Sequence, residues 1–198
     1  QLLFLSRSRL QVSGLEKLPK EDGFVLISNH ISQFDQIALL ALIRKHRMLC
    51  VTKPENEAIF IAGKWLKRAG YIAINRENNF EGLKAIIKAT RICKEKRGSV
   101  IIAPEGTRSK NGEMLPFKAG SFKIATMAKA PIVVVSIQNS RSVAKRFPWR
   151  STTIYLDFLE VIPPEEFADG NTLVLAERTQ KEIQENLIAH QNREYRTK

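Results

Sequence analysis

The sequence predicts an α/β fold, a single layered domain with a mostly parallel central sheet flanked by helices. Short, nearly unbroken apolar runs recur along the chain, which is typical of strands buried on both faces. Helical segments separate these runs, and strands that alternate with helices favour a parallel sheet. Polar clusters follow several strands directly, and ligands of such sheets usually bind beyond the carboxyl ends of the strands. We therefore expect one domain over residues 1–198, with a site at that edge of the sheet.

Five apolar runs are predicted to be buried strands, at residues 23–28, 47–53, 70–76, 99–106 and 130–137. Residues 152–162 alternate more between apolar and polar side chains and are predicted to form an edge strand. The segments between the strands are predicted to contain helices, at residues 37–43, 58–69, 80–97, 119–128 and 173–190. The third of these helices is predicted to carry one apolar stripe, made of Phe80, Leu83, Ile86, Ile87 and Cys93.

The charge of the chain narrows the class of partner. Thirty-two Lys and Arg against twenty Asp and Glu give a formal net charge of +12. Such an excess implies an anionic partner, which is a nucleic acid, an acidic membrane surface or a phosphorylated small molecule. The two cysteines, Cys50 and Cys93, do not form a disulfide framework, which favours a reduced, cytosolic-side domain.

The beginning of the chain, QLLFLSRSRL, is too short and wrongly ordered for a signal peptide. No run in the chain reaches the roughly 18–20 apolar residues that a membrane helix needs. We interpret residues 1–11 as the remnant of an N-terminal membrane-associated helix.

A histidine and an aspartate lie in the stretch ISNHISQFDQIALL, between a predicted strand and a predicted helix. On a helix at ~100° per residue, positions five apart point about 140° away from each other. His30 and Asp35 can therefore meet only if His30 lies in the strand-to-helix turn and Asp35 in the first helical turn. Such a pair suits a general base, because the carboxylate fixes the tautomer of the ring. The alternative is that His30 merely caps the helix, while Asp35 favours its N-terminal dipole.

Two neighbours are expected to support that turn. Ser32 is predicted to be the N-cap of the helix, and Asn29 to hold the loop through hydrogen bonds to the backbone.

A second polar cluster, Glu105 to Ser109, follows the apolar run SVIIA. Gly106 allows close approach of the backbone, Arg108 offers a planar fork of donors suited to phosphate, and Thr107 and Ser109 add hydroxyl groups. The cluster suits an anion, although an ordinary polar loop with one exposed arginine remains the alternative. Lys53 and Arg76 are two further basic residues that follow apolar runs.

These clusters resemble, in order and spacing, the motifs of the glycerolipid acyltransferases that include the 1-acylglycerol-3-phosphate acyltransferases. The first motif is Asn29-His30 with Asp35 five residues after the histidine. The second is GYIAINR ending at Arg76, with Lys53 upstream. The third is Glu105 to Ser109, and the fourth is an apolar strand opened by Pro131. The resemblance covers a motif-bearing core at residues 12–137.

The resemblance implies a glycerol-3-phosphate acyltransferase-like fold and a role for each residue. His30 would take the proton from a glycerol hydroxyl, and Asp35 would orient His30. The alkoxide would attack an acyl-CoA or acyl-carrier-protein thioester directly, without an acyl-enzyme. Lys53, Arg76 and the residues from Glu105 to Ser109 would bind the acceptor, and Pro131 would help to shape the acyl site. No metal and no cofactor are implied.

The implied reaction acylates the sn-2 hydroxyl of 1-acylglycerol 3-phosphate and gives phosphatidic acid. Glycerol 3-phosphate or a lysophospholipid would use similar motifs and remain alternative acceptors. The implied partners are lysophosphatidic acid, the acyl thioester, an anionic membrane surface and, as one carrier, an acyl-carrier protein. The implied location is the cytoplasmic face of a membrane.

Three other functions stay open on the sequence alone: a nucleic-acid-binding protein, a hydrolase that uses water, and a lipid-binding relative without turnover. No zinc pattern, helix-turn-helix or RNP-type strand supports nucleic-acid binding.

Overall fold

The computed structural model describes residues 8–52, 70–73, 79–109, 111–146 and 151–195. In these ranges the strands are β1 (Ser8–Ser13), β2 (Val25–Ser28), β3 (Met48–Thr52), β4 (Tyr71–Ala73), β5 (Ser99–Ile102), β6 (Ile132–Gln138) and β7 (Thr152–Ile162). The α-helices of the same ranges are α1 (Phe34–Leu42), α2 (Asn79–Lys94), α3 (Lys123–Ala128), α4 (Arg141–Arg146) and α5 (Thr172–Ala189).

The seven strands form one sheet in the order β1-β7-β6-β2-β5-β3-β4. Every neighbouring pair is parallel except β6 and β7, which are antiparallel. The prediction of a mostly parallel sheet flanked by helices is therefore confirmed. The carboxyl ends of β2, β5 and β6 lie side by side, so the polar residues after each strand meet at one edge, here called the carboxyl edge.

The predicted position of β7 is wrong, because β7 lies between β1 and β6 rather than at an edge of the sheet. The edge strand on this side of the sheet is β1, whose side chains alternate between half-buried and exposed. The assignment of residues 1–11 to a helix is also wrong for residues 8–11, which belong to β1. Residues 1–7 lie outside the described part of the chain.

The sheet buries both of its faces, as its apolar strands require. Every residue of β2, β5 and β6 is buried. One face packs against α1 through Ala38 and Leu39. The other packs against α2, α3 and α5, through Ala89, Ala125 and Ile183 among others.

The predicted helices form with small shifts of their ends, except that residues 58–69 lie outside the described ranges. Residues 119–128 divide into a 3-10 turn over Ala119–Phe122 and the short helix α3. The predicted apolar stripe of α2 does not form a single buried face. Cys93 is buried with Ala85 and Ala89, whereas Phe80, Leu83 and Ile87 are exposed.

Candidate active site

The end of β2 is fixed to β6 by the amide side chain of Asn29. Asn29 Nδ2 donates to the carbonyl oxygen of Ile137 at 2.8 Å, and the Ile137 N–H donates to Asn29 Oδ1 at 2.8 Å. The side chain thus pairs with both backbone groups of one residue of β6, and it is fully buried. The expected loop-holding role of Asn29 is confirmed, and the next residue, His30, leaves the sheet at a defined point.

His30 and Asp35 are in contact. His30 Nδ1 lies 2.9 Å from Asp35 Oδ2, with His30 in the turn after β2 and Asp35 in the first turn of α1. This is the arrangement that the five-residue spacing requires. The His30 side chain is 20% exposed and the Asp35 side chain 1% exposed. The ring can therefore be reached from outside, while the carboxylate behind it cannot.

The hydrogen bonds of Asp35 fix the orientation of the ring. Oδ2 also accepts the N–H groups of Ile31 and Ser32, both at 2.8 Å, and Oδ1 accepts the hydroxyl of Ser140 at 2.5 Å. Because backbone N–H groups can only donate, Oδ2 acts as an acceptor. The hydrogen of the His30 contact therefore belongs on Nδ1, which leaves Nε2 as the basic nitrogen.

The start of α1 differs from the expectation. Gln33 is the N-cap and its side chain makes no capping bond. The hydroxyl of Ser32 accepts the N–H of Phe34 at 3.2 Å, while Asp35 accepts the N–H groups of Ile31 and Ser32, which precede the helix. The carboxylate of Asp35 therefore holds both the turn and the ring.

Glu105 connects the second polar cluster to the first. Its Oε1 accepts the N–H of His30 at 2.6 Å, and its Oε2 accepts the N–H of Leu115 at 2.8 Å. The residue is 2% exposed, and burial raises the pKa of its carboxyl group, against the lowering effect of the two N–H donors. Both oxygens are therefore engaged within the protein, so Glu105 positions the loop of His30.

The loop after Glu105 divides into an exposed and a buried part. Thr107 and Arg108 are exposed. Ser109 is 5% exposed, its N–H donates to the carbonyl oxygen of His30 at 3.3 Å, and its hydroxyl donates to Asn111 Oδ1 at 2.8 Å. Gly106 has a φ of 76°, a conformation that favours glycine. The loop therefore binds the backbone of His30 through Ser109, while Arg108 of the same loop faces solvent.

The remaining three predicted site residues are Lys53, Arg76 and Pro131. Lys53 and Arg76 lie outside the described residues. Pro131 directly precedes β6, and its carbonyl oxygen accepts the N–H of Val25 at the start of β2. Because β6 is parallel to β2, Pro131 lies at the opposite edge of the sheet from His30, about 20 Å away, six residues along the strands. Only the carboxyl end of β6 reaches His30, and the role of Pro131 at the acyl site stays a prediction.

Ser140 is a site residue that the sequence argument missed. It is fully buried at the turn between β6 and α4, and its hydroxyl donates to Asp35. A signal was present, because Asn139 and Ser140 directly follow an apolar strand, as the other polar clusters do. The preceding Asn139 has a φ of 65° and donates from Nδ2 to the carbonyl oxygen of Thr153 at 2.8 Å, which fixes the turn.

A cavity of about 550 Å³ adjoins the turn that carries His30. Its wall includes the two neighbours of His30 in the chain, Asn29 and Ile31, together with side chains from β6 and from the end of α5. The C-terminal part of the chain, which carries no motif, thus helps to enclose the space beside the turn of His30. The lining residues are Asn29, Ile31, Gly112, Gln138, Leu187, Gln191 and Asn192.

A second histidine–aspartate pair lies at the other edge of the sheet. His46 Nδ1 is 2.9 Å from Asp22 Oδ1, with Asp22 just before β2 and His46 just before β3. The ring of His46 packs edge-on against Phe24, 5.1 Å between centroids. This pair joins two loops far from the carboxyl edge, so contact between a histidine and an aspartate does not by itself identify a base.

The described ranges hold no group of three or more His, Cys, Asp and Glu residues that could bind a metal ion. Within them, too, no helix combines the length and the hydropathy needed to cross a bilayer. Both cysteines are buried, and burial raises the pKa of the Cys50 and Cys93 thiols to about 12.

Comparisons with known proteins agree with the motifs. The family model described as Acyltransferase matches residues 9–138. The chain is 29% identical to the 1-acyl-sn-glycerol-3-phosphate acyltransferase alpha of Ovis aries, over 88% of this chain and 61% of that protein. It is 31% identical to the beta enzyme of Homo sapiens, over 78% of this chain and 56% of that protein. The chain spans about three fifths of the length of these curated relatives.

The fold is shared with a solved structure, the 1-acyl-sn-glycerophosphate (LPA) acyltransferase PlsC from Thermotoga maritima. The TM-score is 0.73 at 23% identity, over 92% of this chain and 72% of that one. The family model covers well over half of the chain and includes the His30–Asp35 pair and the Glu105 loop. The chain therefore belongs to the acyltransferase family.

Proposed function

We propose that this protein transfers a fatty acyl chain from an acyl thioester to the sn-2 hydroxyl of 1-acylglycerol 3-phosphate, giving phosphatidic acid. The observation that carries the proposal is the His30–Asp35 contact, with its ring exposed at the carboxyl edge beside the loop of Arg108. The names of the relatives support the choice of acceptor.

His30 is the general base of the proposed reaction. Its Nδ1–H donates to Asp35, so Nε2 takes the proton of the acceptor hydroxyl. The oxygen attacks the thioester carbonyl and a tetrahedral intermediate forms. When the carbon–sulfur bond breaks, the thiolate leaves and receives the proton from the imidazolium of His30. The proton is therefore returned within one cycle, and the reaction needs no cofactor.

The acceptor oxygen attacks the thioester directly, without an acyl-enzyme. Two hydroxyls near His30 are engaged within the protein: that of Ser140 donates to Asp35 and that of Ser109 donates to Asn111. The two cysteines are buried, and their raised pKa disfavours a thiolate. This arrangement resembles a serine hydrolase triad in which the substrate alcohol replaces the serine.

Arg108 binds the phosphate of the acceptor in this proposal. Arg108 is exposed on a loop whose residues Glu105 and Ser109 bind the backbone of His30. The same loop therefore positions both the cation and the proposed base. Thr107 adds an exposed hydroxyl. Lys53 and Arg76 join the phosphate site on the strength of the family motifs, whereas Glu105 and Ser109 act by positioning the loop.

The site of action is an anionic membrane surface, at its cytoplasmic face, where the acceptor and the product reside. The excess of basic residues, +12 in formal charge, supports attraction to such a surface. The donor is acyl-CoA or an acyl-carrier protein.

The test is an acyl-transfer assay of the wild type and His30→Ala across a panel of acceptors, with both kinds of thioester. We expect phosphatidic acid from 1-acylglycerol 3-phosphate and a loss of at least about a hundredfold in kcat for the variant. Near-wild-type turnover by a folded His30→Ala protein would refute the mechanism. A preference for glycerol 3-phosphate or a lysophospholipid would refute 1-acylglycerol 3-phosphate as the acceptor. It would leave the role of His30 as general base standing.

The same assay separates the other classes of function. Free fatty acid released in the absence of an acceptor would indicate a hydrolase. Salt-dependent binding to nucleic acid with no binding to anionic vesicles and no acyl transfer would indicate a nucleic-acid-binding protein. We expect neither, because the base lies beside a loop suited to a phosphate monoester.

A further inference from the structure

Three large apolar side chains of α2 face away from the core. Phe80 is 64% exposed, and Leu83 and Ile87 are each 51% exposed. At ~100° per residue the three lie within about 60° of one another on the helix. Ala85, Ala89 and Cys93, which pack against the sheet, lie on the opposite side. These three exposed residues are here called the α2 stripe.

Basic side chains lie along one side of the α2 stripe and beyond its C-terminal end, where Arg91 is paired with Glu95. Lys84 lies beside it with Nζ 4.3 Å from the centroid of the Phe80 ring, and Lys88 follows one turn later. Arg91 and Lys94 continue the line of the stripe toward the end of the helix. Apolar side chains between long cationic ones suit the boundary between lipid tails and anionic headgroups, where the cations remain hydrated.

The direction of α2 relates the stripe to the active site. β4 precedes α2 and ends at the carboxyl edge, and β5 follows α2 and begins at the opposite edge. The helix therefore starts on the side of the sheet where His30 lies, and Phe80 is the member of the stripe nearest that side. The stripe therefore begins at the end of α2 nearest the carboxyl edge and extends away from that edge along the outer side of the helix.

We propose that the α2 stripe docks this protein on the surface of an anionic phospholipid bilayer. The occupant is a bilayer because apolar side chains and unlike-charge attraction act together there, and because the proposed acceptor is itself a lipid. The choice of a bilayer rests in part on the proposed function, because that function supplies the lipid acceptor. Binding to the bilayer itself does not require acyl transfer. Leu83 and Ile87 enter the boundary of the acyl chains, while Lys84 and Lys88 contact headgroup phosphates.

The test compares two matched double variants in sedimentation with vesicles. Leu83→Ser with Ile87→Ser removes the centre of the stripe. Leu173→Ser with Val174→Ser is the control, because these residues of α5 are similarly exposed, at 65% and 55%, but lie near the opposite edge. We expect the α2 variant to bind vesicles of phosphatidylcholine and phosphatidylglycerol at least about tenfold more weakly, and the control to bind like the wild type.

A second pair of measurements separates this proposal from the proposed function. With short-chain substrates that stay monomeric in water, we expect the α2 variant to keep the wild-type kcat. If the wild type itself fails to transfer acyl groups in that assay, the proposed function fails while the vesicle result still stands. If the α2 variant and the control bind vesicles equally well, docking through the α2 stripe is wrong. A wild-type dimer that the α2 variant converts to a monomer would also overturn it, in favour of a second copy as the occupant.

Discussion

Replacement of Asp35 by asparagine should remove the charge behind the base while the loop keeps its shape. Oδ2 accepts N–H groups from Ile31, Ser32 and His30, so an amide must turn its oxygen toward these three donors. The amide nitrogen then faces the hydroxyl of Ser140, which can accept a hydrogen bond. The variant therefore preserves the shape of the turn and loses the negative charge.

The size of the effect follows from the distance between the charges. An imidazolium and a carboxylate about 4 Å apart attract each other by about 4 kcal/mol at an effective dielectric constant of about 20. His30 carries its positive charge only after it has taken the proton, so the loss falls on the transition state. Since about 1.4 kcal/mol corresponds to a factor of ten in rate, we expect kcat to fall about a thousandfold. The KM values should change little, because the Asp35 side chain is buried behind the ring.

The second histidine–aspartate pair provides a matched control. Asp22→Asn changes a contact of the same length, 2.9 Å, at the opposite edge of the sheet. We expect this variant to lower the Tm and to leave kcat unchanged in the acyl-transfer assay. An equal loss of kcat in both variants would mean that the effect is structural. A loss below about tenfold in a folded Asp35→Asn protein would refute the electrostatic argument.

Three further outcomes follow from particular residues. Arg108→Ala should raise the KM of the acceptor more than that of the donor in steady-state assays, and an effect confined to the donor would refute the phosphate assignment. Ser140→Ala should lower kcat about tenfold with unchanged KM, because Asp35 loses one buried donor; a rise in KM alone would contradict a positioning role. Burial and the neighbouring Glu160 raise the pKa of Glu182 from 4.5 to about 8, so the folded protein holds this proton more tightly than the unfolded chain. That stabilisation is complete below pH 4.5 and is lost as pH rises through about 8. After allowance for solvent screening, the Glu182→Gln protein should therefore be about 1 kcal/mol more stable than the wild type in denaturant titrations at pH 9. Equal stabilities at that pH would refute the raised pKa of Glu182.

The parts of the site that sequence could predict are local. The five-residue spacing of His30 and Asp35 constrains their geometry, because the turn after a buried strand and the first turn of a helix bring those two positions together. The buried strands were predictable for a similar reason, since unbroken apolar runs such as β6 must be covered on both faces.

The parts that sequence could not predict depend on contacts between distant segments. The bond from Ser140 to Asp35 joins residues 105 positions apart, and the bond from the His30 N–H to Glu105 joins residues 75 apart. Glu105 could be recognised as part of a motif, but its role as a support depends on β2 and β5 being neighbours. The prediction of one apolar stripe from Phe80 to Cys93 was wrong for another reason. Apolar periodicity alone does not distinguish the side of a helix that faces the core from the side that faces solvent.

Two hydrogen bonds hold the backbone of His30 and connect this residue to the loop of Arg108. The N–H of His30 donates to Glu105 and its carbonyl oxygen accepts the N–H of Ser109, so the backbone of His30 is tied directly to the loop of Arg108. If the acceptor binds at Arg108 as proposed, any effect of that binding on the protonation of His30 must be matched by an equal effect of the proton on acceptor affinity. In the proposed reaction, the residue that takes the proton and the loop that binds the phosphate are therefore neighbouring parts of one hydrogen-bonded backbone unit.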